Sequence, residues 1–152
     1  MVAAVPTGRP GLLLILTDTV SNLWFLVDTG SAYSIIPHHS VEPATGPRIM
    51  AADRSPIPCW GEEKRVITSA GRRFQWTFLL AAVAFPILGA DFLRHFDLMV
   101  DLRRRRLVRP SGFTLPLATP PPGCPVAPIG VVAADSSIAR YSTIYFLKRN
   151  MV

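Results

Sequence analysis

The sequence predicts an all-β domain with one short helix, and three observations carry that prediction. From Gly11 to Val108 short apolar runs recur, each bounded by turn-forming residues. Arg73 to Phe78 alternates strictly, with Phe74, Trp76 and Phe78 on one side and Arg73, Gln75 and Thr77 on the other, which is the period of a half-buried strand. Only Asp91 to Phe96 reads as a helical turn, with Asp91 near its start, where a carboxylate favours the unpaired amides. The 152 residues suffice for one such domain with a real core, plus a tail.

In chain order, Leu12 to Thr17 and Leu23 to Val27 are two short strands, and Asp18 to Asn22 is the polar hairpin between them. The apolar stretch behind Arg9 is too short for a signal peptide, follows Pro6 and Pro10, and precedes no small-residue cleavage site. It is read as a strand, and the chain as intracellular rather than secreted. Leu79 to Leu88 is apolar on both faces and is expected to run through the centre of the core. The run Phe78 to Leu88 contains Pro86 and falls short of the roughly 20 residues that a membrane-spanning helix needs. Leu98 to Leu102 and Leu107-Val108 are two closing strands around Arg103 to Arg106.

The character changes at Pro110. Seven of the 15 prolines fall between Pro110 and Pro128, which favours extended, unpaired backbone. The expected organisation is an N-terminal arm over 1–10, the β domain over 11–109, and a proline-rich linker with an irregular tail over 110–152. No internal repeat is present, so any twofold symmetry must come from a second copy of the chain.

Charge and cysteine usage narrow the chemistry. Charged residues make up 17% of the chain, below the usual quarter, and the net charge is +6, with 14 of the 16 basic residues arginine. That balance permits contact with nucleic acid without establishing it. Arg103 to Arg106 is read as a solvated turn, because no aromatic residues are interleaved for base stacking. Cys59 and Cys124 are too few for a disulfide framework or a four-ligand metal site, and three histidines argue against a His-based zinc site. No cofactor is called for.

The sharpest local feature is Phe25-Leu26-Val27-Asp28-Thr29-Gly30-Ser31, in which an apolar strand ends in a carboxylate followed by a turn-permitting glycine. The end of a buried strand is a costly place for a charge without work or a partner. Asp-Thr-Gly alone arises by composition in roughly one chain in thirty of this length, so a strand capped by an Asx turn would otherwise suffice. Downstream, however, come Phe85-Pro86-Ile87-Leu88-Gly89-Ala90-Asp91-Phe92-Leu93 and then Leu98-Met99-Val100-Asp101-Leu102.

Together, in this order from Leu12 to about Val108, these segments resemble the retroviral-type aspartic proteases (retropepsins), especially those encoded by Ty3/gypsy-like LTR retrotransposons. The resemblance implies a closed, barrel-like protomer with one short helix and an active site at a homodimer interface. Peptide hydrolysis needs a deprotonated water and a stabilised carbonyl oxygen. Two carboxylates about 3 Å apart cannot both ionise, so one serves as base while its protonated partner donates to the carbonyl. The chain has a single Asp-Thr-Gly, and Asp91, Asp97 and Asp101 lack the motif, so the dyad requires two copies of Asp28 on a twofold axis.

By the same resemblance, Thr29 hydrogen-bonds across the axis, Gly30 brings the backbone near the carboxylates, and the Ser31 hydroxyl donates to Asp28. A flap over the substrate corresponds to Ile49 to Trp60, with its tip at Ala52, Asp53, Arg54 and Ser55. Relatives commonly carry glycine at that tip. Ile87 and Leu88 approach the substrate, and Asp91 is structural. The implied substrate is an extended polypeptide of the Gag-Pol type, and the chain looks like an open-reading-frame fragment of an integrated element. Two other classes are weighed below the protease: an inactive dimerisation or binding fragment, favoured if Arg54 prevents flap closure, and a nucleic-acid-binding fragment using the arginine cluster.

Overall fold

The computed structural model describes residues 12–121 together with the strands Val126–Ala133 and Thr143–Leu147. The expected arm over 1–10 and Cys124 lie outside the described residues. The first apolar runs form β1 (Ile15–Thr17) and β2 (Trp24–Val27), paired antiparallel with Leu16 opposite Phe25. Then come β3 (Ile35–Pro37), a short hairpin of β4 (Ile49–Ala51) and β5 (Pro56–Ile57), and a long hairpin of β6 (Cys59–Ser69) and β7 (Arg72–Ala81). The long hairpin turns through Ala70 and Gly71, both with positive φ, which matches the right-handed twist of its strands.

β8 (Ile87–Leu88) leads directly into the helix α1 (Ala90–His95). β9 (Met99–Asp101) and β10 (Arg106–Val108) form the closing hairpin, followed by β11 (Thr114–Pro116), β12 (Val126–Ala133) and β13 (Thr143–Leu147). The strands assemble in three sheets, ordered β1-β2-β8-β3-β7-β6, β11-β10-β9 and β13-β12-β4-β5.

The core explains why the central strands read as continuous apolar runs. Phe25 and Val27 pack in one buried cluster, with Phe78, Phe92, Leu107 and Leu115, while Leu26 packs in a second, with Ile15, Ile35, Ile49 and Phe85. Ile87 and Leu88 divide between the same two clusters. β2 and β8 are therefore covered on both faces, as a parallel pair within a sheet must be.

Two expectations change, and one strand has no counterpart among them. The sheets do not close into a barrel: the outer strands β1 and β6 of the six-stranded sheet form no ladder. Their ends are joined by side-chain and single backbone bonds instead, with Thr68 N donating to Asp18 Oδ1 at 3.0 Å and Thr19 N to the Thr68 carbonyl at 2.8 Å.

Second, the region after residue 109, expected to be a linker and irregular tail, carries β11, β12 and β13. Leu115 and Leu117 enter the main core, and Ile15 and Ala118 exchange backbone hydrogen bonds of 2.8 and 3.0 Å. Pro116 is tolerated because β11, among the described strands, is at the edge of its sheet with no ladder partner on its outer side.

The strand without a counterpart, β6, carries no alternating pattern that would announce it. It is an edge strand whose Gly61-Glu62-Glu63-Lys64-Arg65 stretch is solvated charge, the device that keeps sheet edges from pairing with other chains.

Candidate active site

Asp28 follows directly on β2 and is 3% exposed. Its amide donates to the Leu88 carbonyl at 2.9 Å, which extends the β2–β8 ladder by one residue and fixes where the carboxylate emerges. The carboxylate Oδ1 accepts the Gly30 N–H at 2.9 Å, and the Ser31 N–H donates to the Asp28 carbonyl at 3.1 Å. These bonds make Asp28 to Ser31 a compact Asx-type turn at the end of a central strand. Thr29 is exposed at the surface.

Ser31 departs from expectation. Its hydroxyl donates to the Tyr33 carbonyl at 2.6 Å instead of to Asp28. A hydroxyl has one proton to give, so the stabilisation expected for the Asp28 carboxylate goes to the loop backbone. The serine is fully buried, and its own carbonyl accepts the Ala90 N–H at 2.6 Å, tying the turn to the start of α1.

Beneath the turn lies a polar cluster that the sequence did not disclose. Ser34 is fully buried; its hydroxyl donates to Asp91 Oδ1 at 2.7 Å and accepts the Gly89 N–H at 2.9 Å. Asp91 Oδ2 accepts the Ser34 N–H at 3.0 Å and Trp76 Nε1–H at 3.2 Å, and Oδ1 also accepts the Phe92 N–H at 2.7 Å. Asp91 is structural, as expected, but its donors include groups from distant elements, β7 and the segment before β3. A cue was available in a serine abutting the apolar pair Ile35-Ile36, because a buried hydroxyl must find a partner.

Gly89 permits the close approach on which this arrangement depends. A Cβ there would run into the Tyr33 carbonyl oxygen and lie 2.8 Å from the Ser31 carbonyl oxygen. The turn bearing Asp28 and the start of α1 thus meet backbone to backbone.

Ala52, Asp53, Arg54 and Ser55 form the tip of the β4–β5 hairpin, where the flap was expected. The Arg54 N–H donates to the Ala51 carbonyl and the Ala51 N–H to the Ser55 carbonyl, each at 2.9 Å. That is a three-residue loop whose last member takes the left-handed conformation, and Arg54 has φ 67° at the position where glycine is cheapest. Asp53 Oδ1 accepts both the amide and the hydroxyl of Ser55, bracing the turn. A groove of about 480 Å3 runs along the hairpin, lined by Arg48, Met50, Arg54, Pro56, Ile57 and Cys59. Burial, and after it the charge of Glu62, push the Cys59 thiol pKa up, so it stays a neutral packing group.

Ile87 and Leu88, expected to approach the substrate, are 1% and 0% exposed. β8 lies between β2 and β3, so both side chains are enclosed by the two core clusters. Arg104 and Arg106 both reach Asp101, at 3.4 and 3.2 Å, and Asp101 Oδ1 accepts the Arg104 N–H, so this part of the arginine cluster caps its own turn. Among the described residues no three His, Cys, Asp or Glu side chains are grouped to hold a metal, and no helix is long and apolar enough to cross a membrane.

The described residues, mostly β with one short helix and with an Asp-Thr-Gly turn at the end of a central strand, have a retropepsin-like fold. The chain is similar in structure to the retroviral protease-like domain of Ddi1 from Leishmania major, with a TM-score of 0.51 and 18% sequence identity over 72% of this chain and 96% of that domain. No family model and no curated protein matches the sequence.

Proposed function

We propose that the chain is an aspartic-type endopeptidase that acts as a homodimer, each protomer supplying one Asp28. The observation that supports this most is the placement of Asp28: buried, set in an Asx-type turn at the end of a central strand, in a fold resembling a retroviral protease-like domain. One Asp28 carboxylate takes a proton from water as the oxygen attacks the peptide carbonyl carbon. The protonated partner donates to the carbonyl oxygen. Collapse of the tetrahedral intermediate breaks the C–N bond and sends a proton to the leaving amine, leaving a carboxyl and an amine product.

Thr29 would bridge the twofold axis, consistent with its exposure on the single protomer. Ala52 to Ser55 would form the tip that covers the substrate. The proposed substrate is an extended polypeptide, a Gag-Pol-type polyprotein of a Ty3/gypsy-like element. Cleavage of an extended peptide, lost in Asp28→Asn and blocked by pepstatin, tests the reading.

One observation favours a second reading, an inactive dimerisation or binding fragment. Arg54 holds the hairpin tip in a strained conformation, which works against the flap movement that turnover needs. Peptide binding by the folded wild type without any turnover would select it.

A further inference from the structure

We infer that the outer edge of β4 is a strand-addition site, and that the chain's own segment Val126–Ala133 fills it as an internal competitor of extended ligands. The register is Val131 opposite Ala51, Val132 opposite Met50 and Ala133 opposite Ile49, so β12 covers all of β4. The identity of the displaced ligand, an extended substrate, rests on the endopeptidase reading.

Backbone alternation determines which groups meet. Ala51 turns both its N–H and its carbonyl toward the tip and β5, bonding Ser55 and Arg54. Neighbouring residues of an antiparallel strand point opposite ways. Ile49, opposite Ile57, therefore also faces β5, and Met50 faces outward. The residue across from Met50 on the β5 side is Pro56, which has no N–H, so nothing is lost there. Met50 directs its N–H and carbonyl at Val132.

The other edge of the hairpin cannot serve as well. β5 ends its sheet, and the residue facing outward from it is the same Pro56, which offers an added strand no donor. β4 is the productive edge. The sequence of its occupant, Val126-Ala127-Pro128-Ile129-Gly130-Val131-Val132-Ala133, is uncharged and rich in β-branched residues, the composition of a strand that binds through its backbone.

The test uses the full chain carrying Asp28→Asn, so that binding is read without turnover. Val132→Pro removes the donor that faces the Met50 carbonyl. The Met50 amide should then exchange with solvent at least tenfold faster. A synthetic peptide with the sequence of Val126–Ala133 should bind this variant at least tenfold more tightly than its parent. Unchanged exchange, or equal peptide affinity, overturns the inference.

Should Val132→Pro fail to fold, a specific protease site inserted after Pro121 and cut in the folded protein gives the same two readouts. With Asp28 intact, Val132→Pro should raise turnover of an extended peptide at least fivefold at low substrate; unchanged, measurable turnover overturns the competitor role. Absence of turnover in both chains defeats only the endopeptidase reading, and exchange and peptide binding then decide the inference by themselves.

Discussion

Ser34 donates its hydroxyl proton to Asp91 Oδ1 at 2.7 Å across 57 residues of sequence, and the hydroxyl oxygen of Ser34 accepts the Gly89 amide at 2.9 Å. The bond fastens the start of α1 to the strand that follows the Asp28 turn, so the position of the candidate carboxylate depends on a cluster built from other elements.

Ser34→Ala should therefore cost about 2 kcal/mol, since a hydrogen bond to a carboxylate is lost and the buried Gly89 N–H is left without its acceptor. Chemical denaturation of Ser34→Ala, Asp91→Asn and the double variant checks this. The two costs should be strongly non-additive; simple additivity would show that the residues act independently.

Gly89→Ala should be worse. The new methyl would strike two backbone carbonyls, which cannot rotate away as a side chain can. A loss of about 3 kcal/mol is expected in thermal or denaturant unfolding, together with a displaced Asp28 turn.

Arg54→Gly should stabilise the hairpin. Relief of the left-handed conformation is worth roughly 1–2 kcal/mol, offset by about 0.4–1 kcal/mol from the freer unfolded chain. The net gain of about 0.5–1 kcal/mol should be measurable in equilibrium unfolding. Arg54→Val, whose branched side chain fits that conformation poorly, should move the other way.

Asp18 should make stability fall in acid. Burial alone raises its pKa, but hydrogen bonds from the Ser21 hydroxyl and from the amides of Thr68, Val20 and Ser21 outweigh this and hold it below the ordinary carboxylate range. A depressed folded-state pKa gives stability that is present above the unfolded value of about 3.9 and lost as pH falls through the folded value. Asp18→Asn should be clearly less stable than wild type near neutrality, and the two curves should converge as pH falls through the folded value, below which both side chains are uncharged. A gap independent of pH would contradict this.

Leu115→Ala tests where the domain ends. This residue is fully buried in the main core although it lies beyond Pro110, where the composition changes. Truncation should cost about 2–5 kcal/mol by denaturant unfolding, whereas a residue of a true linker would cost nothing measurable.

Much of this was readable in the chain because local physics and global fold agree. The runs around Phe25 and Ile87 look buried on both faces because they are central strands, and Asp28 stands out because a charge ends such a run. What stayed hidden depends on tertiary partners. The Ser31 hydroxyl was expected on Asp28, and the path of the loop gives it to the Tyr33 carbonyl instead. Leu115 and Leu117 alternate with Thr114 and Pro116, but the surrounding prolines mask the period. Closure into a barrel is decided by how far β1 and β6 approach, and no residue of either strand records that distance.

Whether Asp28 is the catalytic carboxylate of a dimeric endopeptidase is decided by cleavage of an extended peptide at about pH 5, a pH suited to a carboxyl dyad. Wild type and Asp28→Asn are compared across protein concentration. Wild-type turnover should rise more steeply than linearly with protein concentration and be abolished by Asp28→Asn. Turnover that survives Asp28→Asn, or a folded wild type inactive at every concentration, would contradict it.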